Sequence, residues 1–315
     1  MTVSPEDIES AARRIRGHVR VTPVLDVAAG TFGVSTPLAM KLELLQHTGS
    51  FKPRGAFNNL LAGTVPPAGV AAASGGNHGI AVAYAASRLG VRARIFVPTL
   101  ASPVKIARIR GYGAEAVVQG ERYVEALALC EAYQRESGAM PVHAYDSEAT
   151  IAGQGTLGRE WEDQRPGLDT LLVAVGGGGL IAGIAAWYLG RVRIVSVEPE
   201  RARALHAALE AGRPLEVPVG GIAADSLGAS KLGAIPFTLV SPYVAPAVLV
   251  TDEAIEEAQR RLWRDIRIAA EPGGATALAA LISGAYAPAP DERVGVLVCG
   301  GNVDLAQLAR LTAEG

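Results

Sequence analysis

A chain of 315 residues exceeds one ordinary hydrophobic core and predicts two domains or one large α/β unit. With 49% hydrophobic and 19% charged residues it reads as globular, and a net charge of -2 argues against a nucleic-acid or anionic-membrane binder. Two cysteines, Cys130 and Cys299, make no disulfide framework and fit a reducing, cytoplasmic setting.

The first stretch, MTVSPEDIESAARRI, lacks the apolar core of a signal peptide. It predicts a helix with Ser4 at the cap, Pro5 at the first position and Glu6 and Asp7 in the first turn. Ile8, Ala12 and Ile15 would then share one face. Next comes TGSFKPRGAFNN, residues 48 to 59. The chain has 29 lysines and arginines, of which only Lys41, Lys52, Lys105 and Lys231 are lysines. Arginine keeps its proton in proteins, whereas a desolvated lysine can lose it. A lysine held in this turn is therefore a candidate for amine chemistry, against the blander reading of a surface loop.

From there one unit recurs: a short apolar run, a glycine loop and an alanine-rich helical stretch. Val70 to Ala73 leads into SGGNHG and IAVAYAASRLG, LLVAV into GGGG and LIAGIAAWYLG, and VGVLV into CGGN and VDLAQLARL. VRARIFVP and VRIVSVEP add further strands, and TDEAIEEAQRRLWRDI has the charge polarity of a surface helix. Such alternation predicts parallel sheets covered on both faces, with ligands beyond the strands' carboxyl ends, where all three loops lie. Residues 171 to 190 carry no charge and could span a bilayer by length, but the four glycines inside split them into strand, turn and helix.

Gly176 to Gly179 open a helix with bare backbone N–H groups, a cradle suited to phosphate. The competing reading is close strand–helix packing. A rival also exists: Gly177, Gly179 and Ala182 satisfy G-x-G-x-x-G/A and Glu198 ends the next strand, the fingerprint of an NAD-dependent dehydrogenase. SGGNHG offers donors for a carboxylate, or simply a helix entry with Asn77 as cap and His78 in solvent. Cys299 is by itself a small buried hydrophobe. His18, His47, His143 and His206 have no metal-ligand spacing, and no H-E-x-x-H, C-x-x-C or G-x-S-x-G occurs.

Taken together the segments are more specific. KLELLQHTGSFKPRGAFNN, ASGGNHGIAVAYAA, IAGQGT, VAVGGGGLIAG, VEPE, EPGGATALAAL and VCGGN closely resemble, in order and over nearly the whole chain, the serine/threonine dehydratase family. That family belongs to the fold-type II pyridoxal-phosphate (PLP) enzymes, which are tryptophan synthase β-like. The resemblance implies two open twisted parallel-sheet domains: residues 1–65 with 147–315 binding PLP, and a small domain, residues 66–146, gripping substrate. It implies that Lys52 forms the Schiff base with PLP, that Gly176, Gly177, Gly178 and Gly179 hold the phosphate, and that Asn77 contacts the ring hydroxyl. It places Phe51 near the ring, Ser74, Gly75, Asn77 and His78 in the substrate carboxylate loop, and Cys299 at the pyridine nitrogen.

The activity implied is dehydration and deamination of L-threonine, L-serine or a related β-hydroxy amino acid to a 2-oxo acid and ammonia, with Lys52 as general base. A neutral thiol at the pyridine nitrogen makes a weaker electron sink, which suits β-elimination. Other activities within the resemblance are amino-acid racemisation and 3-hydroxyaspartate dehydration. A non-catalytic amino-acid-binding homologue is a further alternative. Relatives that racemise serine carry a serine where this chain has Gly75, which argues against racemisation. In metal-binding relatives an acid follows the VEP segment. Here Ala204 stands in its place, leaving Glu198 and the Ala202 carbonyl as candidate ligands for an activating cation. IAADSLG at 222 to 228 departs from the A-D-G pattern of relatives. The chain ends soon after CGGN, so isoleucine feedback through a regulatory domain is not expected. A homo-oligomer, dimer or tetramer, is expected in the cytoplasm.

Overall fold

Ser4 starts the first helix as its chemistry requires. Its Oγ accepts from the Asp7 N–H at 3.3 Å, the Asp7 carboxylate accepts from the Ser4 N–H at 2.9 Å, and Pro5 opens the helix Pro5–Arg14. Ile8, Ala11 and Ile15 are its buried residues, while Ala12 is only partly buried. The inward stripe thus runs through Ala11, one position from the expected alanine, because an i, i+3, i+7 spacing fits the groove it enters.

The computed structural model describes residues 2–245 and 247–313. Ten strands follow in chain order: β1 (Val24–Val27), β2 (Leu38–Lys41), β3 (Val70–Ala73), β4 (Ala93–Val97), β5 (Glu115–Val118), β6 (Met140–Pro141), β7 (Thr170–Ala174), β8 (Arg193–Pro199), β9 (Val248–Val250) and β10 (Val294–Leu297). They form a six-stranded sheet, β1-β2-β10-β7-β8-β9, and a four-stranded sheet, β5-β4-β3-β6. Every pairing is parallel except β1 with β2, an antiparallel edge added to the larger sheet. The uncharged stretch divides as its glycines demand. β7 is buried along its length and shares one hydrophobic core with the helix Gly179–Tyr188, so the apolar residues of the stretch serve a core. No helix among the described residues is long and apolar enough to cross a membrane.

The helix Glu148–Gln164 crosses between two others through glycines. A Cβ at Gly153 would lie 2.6 Å from the Arg54 carbonyl, and one at Gly183 would lie 2.5 Å from the Gly155 nitrogen. Only hydrogen fits at either crossing. The segment IAGQG thereby locks the helices Lys52–Ala62 and Gly179–Tyr188 onto one support, and both of these begin at the glycine and lysine turns.

Candidate active site

The lysine turn is stitched to the loop after β10. Phe51 N–H donates to the Cys299 carbonyl at 3.2 Å, and Gly301 N–H donates to the Gly49 carbonyl at 2.8 Å. Lys52 opens its helix with Pro53 behind it. Two residues on, Arg54 enters the interior, where Nε donates to Glu43 at 2.6 Å and Nη2 to Glu160 at 2.9 Å. Burial opposes the guanidinium charge, but Glu43 and Glu160 outweigh it and hold Arg54 protonated. This ionic group fixes the first turn of the helix, and with it Lys52.

The four lysines then separate by environment. Lys41 is fully buried and donates to Glu160 at 2.6 Å, Lys105 is buried and paired with Asp225, and Lys231 is exposed. Lys52 donates instead to the Ala144 carbonyl at 3.2 Å, and none of the ion pairs among the described residues includes it. Desolvation lowers its pKa to about 8, with Cys299 and Glu271 opposing weakly. At pH 7 about a tenth of this amine is then uncharged, far more than of an ordinary lysine, and the neutral form is the one amine chemistry needs.

One pocket collects Lys52, Phe51, Asn77, Cys299 and the run Gly176–Gly179. The glycines are required sterically: a Cβ on Gly177 would lie 2.2 Å from the Tyr145 ring, and Gly178 has φ of +91°. What remains is bare backbone at a helix N-terminus, a fitting receptor for a small dianion. The Cys299 Sγ donates to the Gly273 carbonyl at 3.4 Å, and burial pushes its pKa up to about 12, so it stays a neutral thiol. A larger open groove lies between Asp26–Ala39 and Pro288–Val294, but no charged residue lining it is buried.

The SGGNHG loop lies beside this pocket with corrections to detail. Gly76, not Asn77, is the cap of the helix Asn77–Leu89, and Asn77 lines the pocket. The Ser74 Oγ accepts from the Gly76 N–H at 3.2 Å, shaping the loop. His78 is neither solvated nor turned to an anion. It is buried, its Nε2 bonds the Val142 carbonyl at 2.8 Å, and desolvation lowers its pKa to about 3. Its ring supports the loop, whose remaining polar groups are backbone N–H groups and the Ser74 hydroxyl. A Cβ at Gly75 would lie 2.6 Å from the Ala101 Cβ, so a serine does not fit there without backbone movement.

Glu198 belongs elsewhere. It is fully buried, and its two oxygens accept the Leu205 and His206 N–H groups at 2.8 Å each, capping the helix Ala204–Ala211. That occupancy removes it as the ribose acid of a dinucleotide site. Among the described residues no group of three His, Cys, Asp or Glu side chains could hold a metal, so Glu198 belongs to no such cluster. Sequence reasoning missed Glu271, which is 3% exposed, accepts from Asn77 Nδ2 at 2.6 Å and has its pKa raised to about 7, mainly by burial. It missed Tyr145 and Ser226 too. The quoted segment EPGGATALAAL contained the only hint, a glutamate at a helix start.

Comparison with known proteins agrees with this geometry. Residues 15–300 match the family described as pyridoxal-phosphate dependent enzyme. The chain belongs to this family of PLP enzymes. It is 40% identical to a phenylserine dehydratase of Ralstonia pickettii over 94% of this chain and 92% of that protein. It is 37% identical to an L-threonine ammonia-lyase of Geobacter sulfurreducens over 98% of this chain and 78% of that one. The structure of maize serine racemase superposes with a TM-score of 0.91 at 32% identity, covering 100% of this chain and 98% of that one. The pocket fits PLP on its own terms, with an anion cradle, a depressed amine and an uncharged donor at one site.

Proposed function

We propose that this PLP enzyme eliminates water from L-threonine, L-serine or a related β-hydroxy amino acid and that hydrolysis of the product then releases ammonia and leaves the 2-oxo acid. The observation that carries the reading is Lys52, a half-buried amine without a carboxylate partner, in one pocket with the glycine cradle and a neutral thiol. When bound, PLP supplies an aldehyde for attachment and an electron-withdrawing ring that acidifies the substrate Cα–H. Gly176–Gly179 would hold its phosphate, Asn77 and Cys299 its ring polar atoms, and Phe51 would pack beside it. Lys52 attaches the cofactor and, when freed, takes the Cα proton. The Cα–H electrons form the Cα–Cβ double bond and expel the β-hydroxyl, which leaves as water with the proton that Lys52 has taken. Water then hydrolyses the released enamine, through its imine, to a 2-oxo acid and ammonia. Ser74, Gly75 and the N–H groups opening the helix Asn77–Leu89 would grip the substrate carboxylate.

Gly75 favours elimination over racemisation, since a second acid/base on a serine there meets Ala101. The phenylserine dehydratase relative supports a substrate range extending to bulky β-substituents. The test is a panel of threonine, serine, 3-hydroxyaspartate and phenylserine, assayed for 2-oxo acid with and without chelator. Lys52→Ala should abolish release and the visible absorbance of the protein. A Lys52→Ala protein that stays coloured and active would sink the assignment, and a wild-type protein that releases nothing from any of the four is a binding homologue.

We further infer a large PLP-binding domain, residues 1–65 with 147–315, and a small domain, residues 66–146. The division of the strands between two sheets supports it. Ala56, Phe57 and Leu60 pack with Val70 and Ile95, which supports a seam running along the helix Lys52–Ala62. A cytoplasmic homo-oligomer completes the reading, and sedimentation of the purified protein tests its assembly.

A further inference from the structure

Arg108 lies on the helix Pro103–Gly111, packed over the small sheet. A guanidinium has five N–H donors and no acceptor. Its Nη1 donates to Asn302 Oδ1 at 2.6 Å, and its Nη2 donates to the Thr48 carbonyl at 3.0 Å. Asn302 therefore turns its Oδ1 to the arginine. Its Nδ2 spends both protons on the other side, on the Thr48 carbonyl at 2.9 Å and on Asn77 Oδ1 at 2.7 Å. Asn77, having accepted at Oδ1, donates from Nδ2 to Glu271 Oε1 at 2.6 Å.

The donor-only end settles the direction of the whole series. A group that can only donate begins it, and a buried carboxylate ends it. An amide's oxygen and nitrogen are ordinarily interchangeable in outline, and the hydrogen-bond partners decide between them. Here a flipped Asn77 would put its Oδ1 against the Glu271 oxygen and its Nδ2 against the Asn302 Nδ2. Both contacts would be of like polarity in a half-buried site, where each unpaired group is costly. In the observed orientation one Nδ2 proton of Asn77 stays uncommitted within the relay, on a residue that lines the Lys52 pocket.

We propose that Arg108 and Asn302 are positioning residues that fix the direction of the Asn77 amide, so that it meets the PLP ring as a donor. The relay joins the helix Pro103–Gly111 to the loops at Thr48 and Asn302, so the amide is set only when that helix is seated. The inference rests on the PLP reading above, and the experiment separates the two.

Protein freed of PLP is titrated with PLP, following affinity by equilibrium dialysis and the ratio of visible to near-ultraviolet absorbance. Asn302→Asp replaces the Nδ2 donor by an acceptor and forces Asn77 to turn over. It should weaken PLP binding about tenfold or more and lower the visible share. Arg108→Glu, which reverses the first link, should do the same even if Asn302→Asp fails to fold. Arg108→Lys keeps a donor-only group and should stay within about threefold of the parent. The proposal is overturned if Asn302→Asp and Arg108→Glu both bind and absorb like the parent, or if Arg108→Lys loses as much as Arg108→Glu. Lys52→Ala, run in parallel, should lose the visible band whatever the relay does. A Lys52→Ala protein that keeps the band removes the PLP reading itself, whereas silent relay variants beside a colourless Lys52→Ala remove only the relay.

Discussion

Lys52 differs from Lys41 and Lys105 in what surrounds it. Those two meet carboxylates, whereas Lys52 meets the Ala144 carbonyl and the Phe51 ring, and desolvation lowers its pKa from 10.5 to about 8. The neutral amine is the form that attacks an aldehyde. The rate at which cofactor-free protein takes up PLP should therefore rise with pH and level off above about 8, followed by stopped-flow visible absorbance. A flat profile between pH 6 and 9 would contradict the desolvated amine. Arg54 shows the opposite use of burial. Replacing it with methionine leaves the buried Glu43 without its paired cation and Glu160 with Lys41 alone, and breaking such a buried pair costs about 3–5 kcal/mol. Urea denaturation of Arg54→Met should show that loss. Much of this scale was legible in the sequence, because the rarity of lysine singled out Lys52. His78 was misjudged because nothing local reveals that the Val142 carbonyl lies against its ring.

At the scale of elements, the turns and helices were readable from glycine, proline and caps. The four-glycine run breaks an apolar stretch, and the Ser4 cap, the strand β7 and the helix Asp252–Ile266 formed as expected. The cradle's shape depends on a partner the run does not contain, the Tyr145 ring lying where a Gly177 side chain would go. Gly177→Ala should lower PLP affinity at least about tenfold while far-ultraviolet circular dichroism is unchanged, since the methyl displaces Tyr145 or the loop rather than the strand. Retained affinity would mean that the cradle has room to spare. The antiparallel edge strand β1 was not anticipated, because four residues with no clear alternation carry little directional signal.

Across the whole molecule, the site is assembled at the junction of the two sheets' territories. Lys105 and Arg108, on one helix beside the small sheet, reach Asp225 and Asn302 beside the large one. Asp225 lies in the IAADSLG segment, whose departure from relatives had no explanation in the sequence. If the Lys105–Asp225 pair helps seat the helix Pro103–Gly111 over substrate, Asp225→Ala should raise KM about tenfold with kcat and the cofactor spectrum nearly unchanged. A fall in kcat at constant KM would place Asp225 in the chemistry instead.

The sequence by itself offered the candidate parts: a lysine in a glycine-serine turn, a glycine run suited to an anion and, through the family resemblance, a thiol for the ring nitrogen. A short segment can carry such residue types, whereas the desolvation that lowers the Lys52 pKa and raises that of Cys299 comes with the fold. The tertiary structure alone decided that Glu271 closes onto Asn77, that Asn77 answers to Asn302, and that His78 turns away. Those partners stand 194, 225 and 64 positions apart along the chain, and no local pattern encodes a bond whose two ends meet only when both sheets are folded and packed.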